Sequence, residues 1–424
     1  MARKGSNNML RGKYFRQLLI VLSIQFLSPG MTWSNEFHYN NMLIGDRASG
    51  LGGAYIAISD DPSGLYYNPS GIVYSNSSNL SASMNAYHIT RTAYQGVLGG
   101  SDWVRTSTML VPNFFGVTQP FAGGTLGFSY AVIDSALEDQ DQTFLNIPGV
   151  NDKFTINFNN QDQTYVVGPS YARFITKNLS LGMTIYAYAR EQEQIFNQIF
   201  EFTDANEFHW ENGYFATEEY GYKPIIGIMY TPLDKVSLGL TFSATSLVHS
   251  SLKRQDSCAS TYQGLTDSES CAKGVLIRQK GAYTSDRMFP FEVGLGGTWF
   301  VNSALLLTGS INYYSPINYA KPTINFAGGM ELYLNDTLAV RLGTYTNFAN
   351  TPEMNVPGAY YFQEHIDMYG GSMSVSSFTR SSSLTIGLNG SIGKGMAQII
   401  GSSTDVQPVS SVSLTAFMSA GYSY

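Results

Sequence analysis

The sequence predicts an all-β fold: a transmembrane antiparallel β-barrel of about 14 strands, with an N-terminal plug in its lumen. Three observations predict it. Charged residues make up only 13% of the 424 residues while aromatic ones make up 14%, with 29 Tyr, 25 Phe and 42 Gly. A water-facing surface normally carries about a quarter charged residues, so these charges are too few to cover a soluble domain of this size. Short segments alternate apolar with small polar residues at period two, which sets one row of side chains toward lipid and the other toward a lumen. The connections between those segments alternate between short and long, as periplasmic turns and outer loops do. A mean hydropathy of −0.09 fits, because barrel spans never look hydrophobic in a sliding window. A soluble β-sandwich is the competing fold, and it needs Lys and Glu on outward faces where these strands have few.

Residues 1–34 read as a signal peptide. Arg3, Lys4, Arg11, Lys13 and Arg16 form a basic start, Leu18–Leu27 a short apolar core, and Thr32-Trp33-Ser34 a small-residue cleavage site. The apolar core is too short to span a bilayer. No Cys follows it, so no lipid anchor is expected, and the chain is expected to be exported to the outer membrane.

Residues 35–78 carry the most specific signal. Gly50, Gly52, Gly53, Ala54 and Ala57 form a small-residue cluster, followed by Asp60 and Asp61, then Tyr66 and Tyr67, then Asn68-Pro69-Ser70-Gly71. Small residues permit close backbone approach and Asn-Pro sets a turn, which suits a compact plug pressed against surrounding walls. A dinucleotide-binding glycine loop needs a buried strand before it and an amphipathic helix after it, and neither is present. The segment resembles the N-terminal hatch of the FadL/TodX family of outer-membrane transporters for long-chain fatty acids and aromatic hydrocarbons. Gly52, Gly53, Asn68, Pro69 and Ser70 fall on the hatch motif, with Ser70 where the family pattern has Ala. The resemblance implies fourteen strands, no cofactor, and a kinked third strand beside the hatch. In GGTLGFSYAVI that kink is expected at Gly123, Gly124 and Gly127, since Gly inside a strand permits a bulge.

Residues 79–424 are expected to form the wall. Candidate strands fall near 79–89, 106–118, 123–133, 162–175, 178–200, 216–232, 234–252, 286–301, 303–316, 323–334, 337–349, 374–391, 395–402 and 410–424. Short turns are expected near 119–122, 176–177, 232–234, 302, 335–336 and 393–394, with long loops near 90–105, 134–161, 201–215, 253–285 and 350–373. The last strand is the clearest: Val412, Leu414, Ala416, Met418, Ala420, Tyr422 and Tyr424 share one face, and Ser411, Ser413, Thr415, Ser419, Gly421 and Ser423 the other. Phe417 breaks the inner row and is expected to pack against the plug. The terminal aromatic Tyr424 also resembles the signal read by barrel assembly machinery.

No catalytic constellation is present. The five His are scattered, no nucleophile elbow occurs, and Glu138, Asp139 and Asp141 lack the Gly and the terminal Glu of a calcium loop, so they read as a solvated loop tip. Cys258 and Cys271, the only two Cys, lie in a polar stretch with no neighbouring His. In an exported chain that pattern points to a disulfide stapling a loop rather than to zinc. Alternation places Arg190, Glu292, Glu331 and Arg341 inward; Glu331 and Arg341 are expected to pair or to brace the plug. The sharper alternative is that Arg190 or Arg341 holds a ligand carboxylate through forked hydrogen bonds. The net charge of −7 argues against a nucleic-acid partner. The resemblance implies passive uptake of a hydrophobic small molecule: capture by outer loops, an apolar pocket, then sideways exit into outer-membrane lipids. The alternative is the same barrel as a secretion-system subunit or a surface adhesin.

Overall fold

The computed structural model describes residues 37–75, 78–98, 100–147, 151–202, 207–261, 277–284, 287–318, 320–354, 363–398 and 406–424. The signal-peptide reading and Cys271 lie outside the described residues. Antiparallel strands run β1 (Asn79–Leu98), β2 (Ser101–Phe121), β3 (Gly124–Ile147), β4 (Asn151–Thr176), β5 (Leu179–Phe202), β6 (Glu207–Leu233), β7 (Val236–Ala244), β8 (Ser246–Ser260), β9 (Ile277–Tyr283), β10 (Phe291–Phe300), β11 (Leu305–Tyr314), β12 (Thr323–Asn335), β13 (Leu338–Asn347), β14 (Glu364–Phe378), β15 (Ser382–Ala397) and β16 (Gln407–Ser423). Both β7 and β8 pair with β6, and their partners are β10 and β9, so each couple occupies one place in the wall. β1 pairs with β16 and the ring closes with fourteen wall positions. Closing a sheet into a ring gives its end strands partners, which is what lets it stand in lipid.

The period-two rows face as the sequence predicts. Leu181, Met183 and Ile185, Leu238, Leu240 and Phe242, and Leu384, Ile386 and Leu388 form outward rows 39–62% exposed. Their neighbours Ser180, Thr184, Ser237, Thr241 and Thr385 are buried inside. Inward hydroxyls join across strands, as between Ser170 and Thr184 at 2.6 Å and Thr298 and Thr308 at 2.9 Å. Phe417 turns inward over Gly387 of β15, where a side chain on the glycine would overlap its ring.

Two corrections concern the strands. The stretch 374–391 is not one strand: β14 ends at Phe378, Thr379 to Ser381 make the turn, and 393–394 lie inside β15 rather than at a turn. The expected loops 90–105, 134–161 and 201–215 are mostly strand. β3 to β6 run 24–27 residues, far more than the roughly 9–11 needed to cross a bilayer, whereas β10, β11 and β13 have 10. The wall is therefore tall on one side and short on the other. Glu138, Asp139 and Asp141 belong to tall β3, and Glu138 is buried rather than at a solvated tip.

Candidate functional site

Residues 37–75 fold into two single-turn helices, α1 (Asp46–Gly50) and α2 (Gly64–Tyr67), and a 3-10 helix (Pro69–Tyr74). Gly52 and Gly53 both have positive φ, at 66° and 82°, a conformation that L side chains rarely adopt. Their turn brings the backbone against β13: a Cβ on Gly343 would overlap the Gly52 nitrogen. Wall glycines mark the rest of the contact. Gly127 meets Leu65, Gly182 meets Pro69 and Ser70, Gly227 meets Asn68, Gly296 meets Ala57 and Gly329 meets Leu51. Wall hydroxyls complete the seat by donating to segment carbonyls: Ser180 to Ser70 at 2.9 Å, Thr184 to Leu65 at 2.8 Å, Thr308 to Ala54 at 3.1 Å and Ser372 to Gly50 at 3.0 Å. The segment thus touches strands around the whole ring.

Asn68 is its keystone and is fully buried. Its Oδ1 accepts from the Ser70 N–H at 3.2 Å and the Ser70 hydroxyl at 2.6 Å, capping the 3-10 helix, with Pro69 at the first helical position where no N–H is needed. Its Nδ2 donates to the carbonyls of Ile56 at 2.7 Å and of Ile228 on β6 at 3.3 Å. The Asn-Pro turn therefore lies against β5 and β6, not against the third strand.

A charge knot ties the other side. Arg47 pairs with Asp60 at 2.7 Å and with Glu331 of β12, and Arg341 of β13 pairs with Glu331 at 2.7 Å. Glu331 has no exposed surface, so two cations compensate one buried carboxylate. Burial and then the Asp60 charge push Asp61 up to about 6, against the opposing hydrogen bond from Ser63. Higher in the lumen Arg190 holds Asp162 through two bonds of 3.0 and 2.8 Å, and Lys223 holds Glu292 at 2.6 Å. Arg287 holds Glu219 at 3.0 Å. Arg190 and Arg341 are thus already engaged by protein carboxylates. Cys258 lies on β8.

The kink expected at Gly123, Gly124 and Gly127 lies elsewhere. Gly123 sits in the turn before β3, with φ 74°, and Gly124 is the first residue of the strand. The irregularity comes further along, at Ile133, which bulges between Val132 and Asp134 in the ladder with β4. On the other side of β3 the ladder with β2 parts. Pairing runs to Phe114↔Ala131, after which the single pair Ser107↔Glu138 keeps the same register, and 108–113 and 132–137 have no partners across this ladder. Pro112 lies within the unpaired stretch and has no N–H to give a ladder. Behind the parting stands an apolar cluster that joins Met109, Val111 and Val132 to Met42 and Ile44 of the segment, with Ile133 packed against it. Asn113 spans inward, donating to the Leu43 carbonyl at 2.9 Å.

Near the outer rim, a second inward cluster gathers Tyr94, Trp103, Phe144, Phe154, Phe158 and Phe200. Sequence reasoning missed it because all of these residues but Phe200 fall in what read as polar loops; strand periodicity carried past 90 and 134 would have found it. Pro112 was a further missed signal.

Comparison with solved structures decides the architecture. A FadL homologue from Pseudomonas aeruginosa superposes with a TM-score of 0.66 at 14% identity, covering 91% of this chain and 99% of that one. The chain has the FadL/TodX fold. The Pseudomonas putida toluene transporter TodX matches with a TM-score of 0.63 at 13% identity over 91% of this chain and 100% of that one. The Ralstonia pickettii toluene transporter TbuX gives 0.61 at 12% over 91% and 99%. No family sequence profile matches the chain, and no curated protein sequence does. At these identities the FadL/TodX likeness concerns the outer-membrane barrel fold.

Proposed function

We propose that this barrel passes hydrophobic compounds across the outer membrane without a cofactor, with residues 37–75 as its hatch and the parted β2–β3 ladder as its side exit. The parted ladder carries the reading. Unpaired backbone facing lipid is costly, so a parting between β2 and β3 that beyond Phe114↔Ala131 is bridged by the single pair Ser107↔Glu138 needs a compensating use. The apolar cluster behind it supplies a dry route from lumen to bilayer. The rim cluster of Trp103, Phe144, Phe154 and Phe158 is buried apolar packing, the first that a ligand arriving from outside would reach. Passage is downhill along apolar surface, and no group in the lumen needs to react. The same geometry agrees with what the toluene transporters of this fold are named for.

Leu110 and Ser135 would face each other if the ladder were continuous. In a Cys258→Ser, Cys271→Ser background, a Leu110→Cys, Ser135→Cys pair oxidised across the opening should lower uptake of an apolar tracer such as toluene or a long-chain hydrocarbon at least about tenfold. Reduction should restore it. Unchanged uptake in the cross-linked, heat-resistant folded barrel would remove the side exit and favour a secretion or adhesion role.

A further inference from the structure

The first stretch of the hatch, His38–Leu43, lines two lumen cavities. In one, Tyr66, Tyr188, Phe289 and Tyr314 give an aromatic chamber. In the other, the wall from β13 through β16 to β1 presents hydroxyls and amides: Asn85, Thr90, Asn389, Ser391, Ser413 and Thr415. Asp134 and Ser135, from the unpaired stretch of β3, line this second chamber too. The chamber therefore adjoins the side exit.

Its chemistry is specific. No Lys or Arg stands among its described lining residues. Its two acids are Asp134, which accepts from Asn41 Nδ2 at 3.0 Å, and Glu364, which accepts from the Tyr94 hydroxyl at 2.7 Å. Burial holds His38 below the ordinary imidazole range, against the pull of Glu364, and its Nε2 lies 2.7 Å from the Ile366 carbonyl. Elsewhere in the lumen, Arg47, Arg105, Arg190, Lys223, Arg287 and Arg341 each hold a carboxylate already. A ligand carboxylate would bring a like charge beside two acids and would have to displace a protein carboxylate to find a cation. Burying an unpaired charge is costly, whereas an uncharged hydroxyl or amide can exchange hydrogen bonds with Asn, Ser and Thr on equal terms.

We propose that this chamber is a binding site for the uncharged, hydrogen-bonding head of an amphiphile (an alcohol, an amide or a glycerol ester) whose apolar tail lies along Met109, Val111 and Val132 toward the side exit. This rests on the uptake reading and narrows its substrates to neutral ones. Carboxylates are disfavoured.

The test compares radiolabelled dodecan-1-ol, dodecanoate at pH 8 and dodecane binding to the full barrel in nanodiscs, with empty nanodiscs subtracted. The alcohol should bind at least about tenfold more tightly than the carboxylate, a difference near 1.4 kcal/mol. Asn389→Leu and, independently, Ser413→Val should weaken the alcohol about tenfold and leave dodecane unchanged, in variants that keep heat-resistant folded mobility. Dodecanoate binding as tightly as the alcohol, or alcohol binding indifferent to both variants, overturns the head-group site while leaving the uptake reading intact. Binding of dodecane alone does the same. Binding of none of the three removes the uptake reading, and this inference falls with it.

Discussion

At the scale of the residue, Asn68 shows how much of the site rests on one side chain. Both halves of its amide are used, one capping the 3-10 helix and the other tying Ile56 to β6. The motif Asn68-Pro69-Ser70 was legible in the sequence because Asn-Pro has few conformations, but its partner was not. The wall glycine that admits it, Gly227, lies 159 positions away on β6, and local sequence does not state which strand an inward turn will face. Asn68→Ala should remove the cap and orphan two carbonyls, loosening the segment by roughly 3 kcal/mol. Amide hydrogen exchange should then speed up across residues 64–74 and stay unchanged in β14 to β16. Uniform protection in the variant would show that the wall, not Asn68, holds the turn.

At the scale of the element, period two was readable wherever large apolar residues alternate with Ser, Thr or Gly, as in β5, β7 and β16. It fails where the turn is closed only by Ser and Thr, which also fill the inward rows. Between β14 and β15 the chain reverses at Thr379-Arg380-Ser381, without Gly, Pro, Asn or Asp, so the small-polar pattern runs on unbroken and points to a reversal at Gly393-Lys394 instead. The tall strands were cut short for a related reason. Beyond the membrane both faces of a strand meet water or protein, and Asn, Gln and Thr replace the lipid-facing row, as in the Asn157–Asn197 bond of 2.8 Å across β4 and β5. Without lipid there is no apolar alternation to see. A protease-cleavable tag at Arg380 should be hidden in intact cells and one at Gly100 reachable, with both barrels folded. A reachable tag at Arg380 would reverse the register of the last three strands.

At the scale of the whole molecule, the wall and the segment are held by different forces. The wall is a ring of strands held by main-chain ladders, parted between β2 and β3 and with β9 laddered to β8 alone among the described residues. The segment is held by side chains reaching its backbone, by glycine-lined fit and by the Arg47–Glu331 pair, none of which closes the ring. Removing residues 37–75 should therefore leave a folded barrel. It should be less stable, because Glu331 then keeps only Arg341 and the wall glycines border a void. A lumen lined by Ser, Thr and Asn and emptied of its filling should admit water and small solutes. The deletion variant should migrate as a heat-resistant barrel on gels and give a steady conductance in planar bilayers where the intact protein gives little. It should also let neutral sugars into proteoliposomes, while uptake of an apolar tracer loses its dependence on the β2–β3 cross-link. A folded deletion variant that conducts no better than the intact protein would mean that the outer aromatic cluster, rather than the segment, closes the lumen.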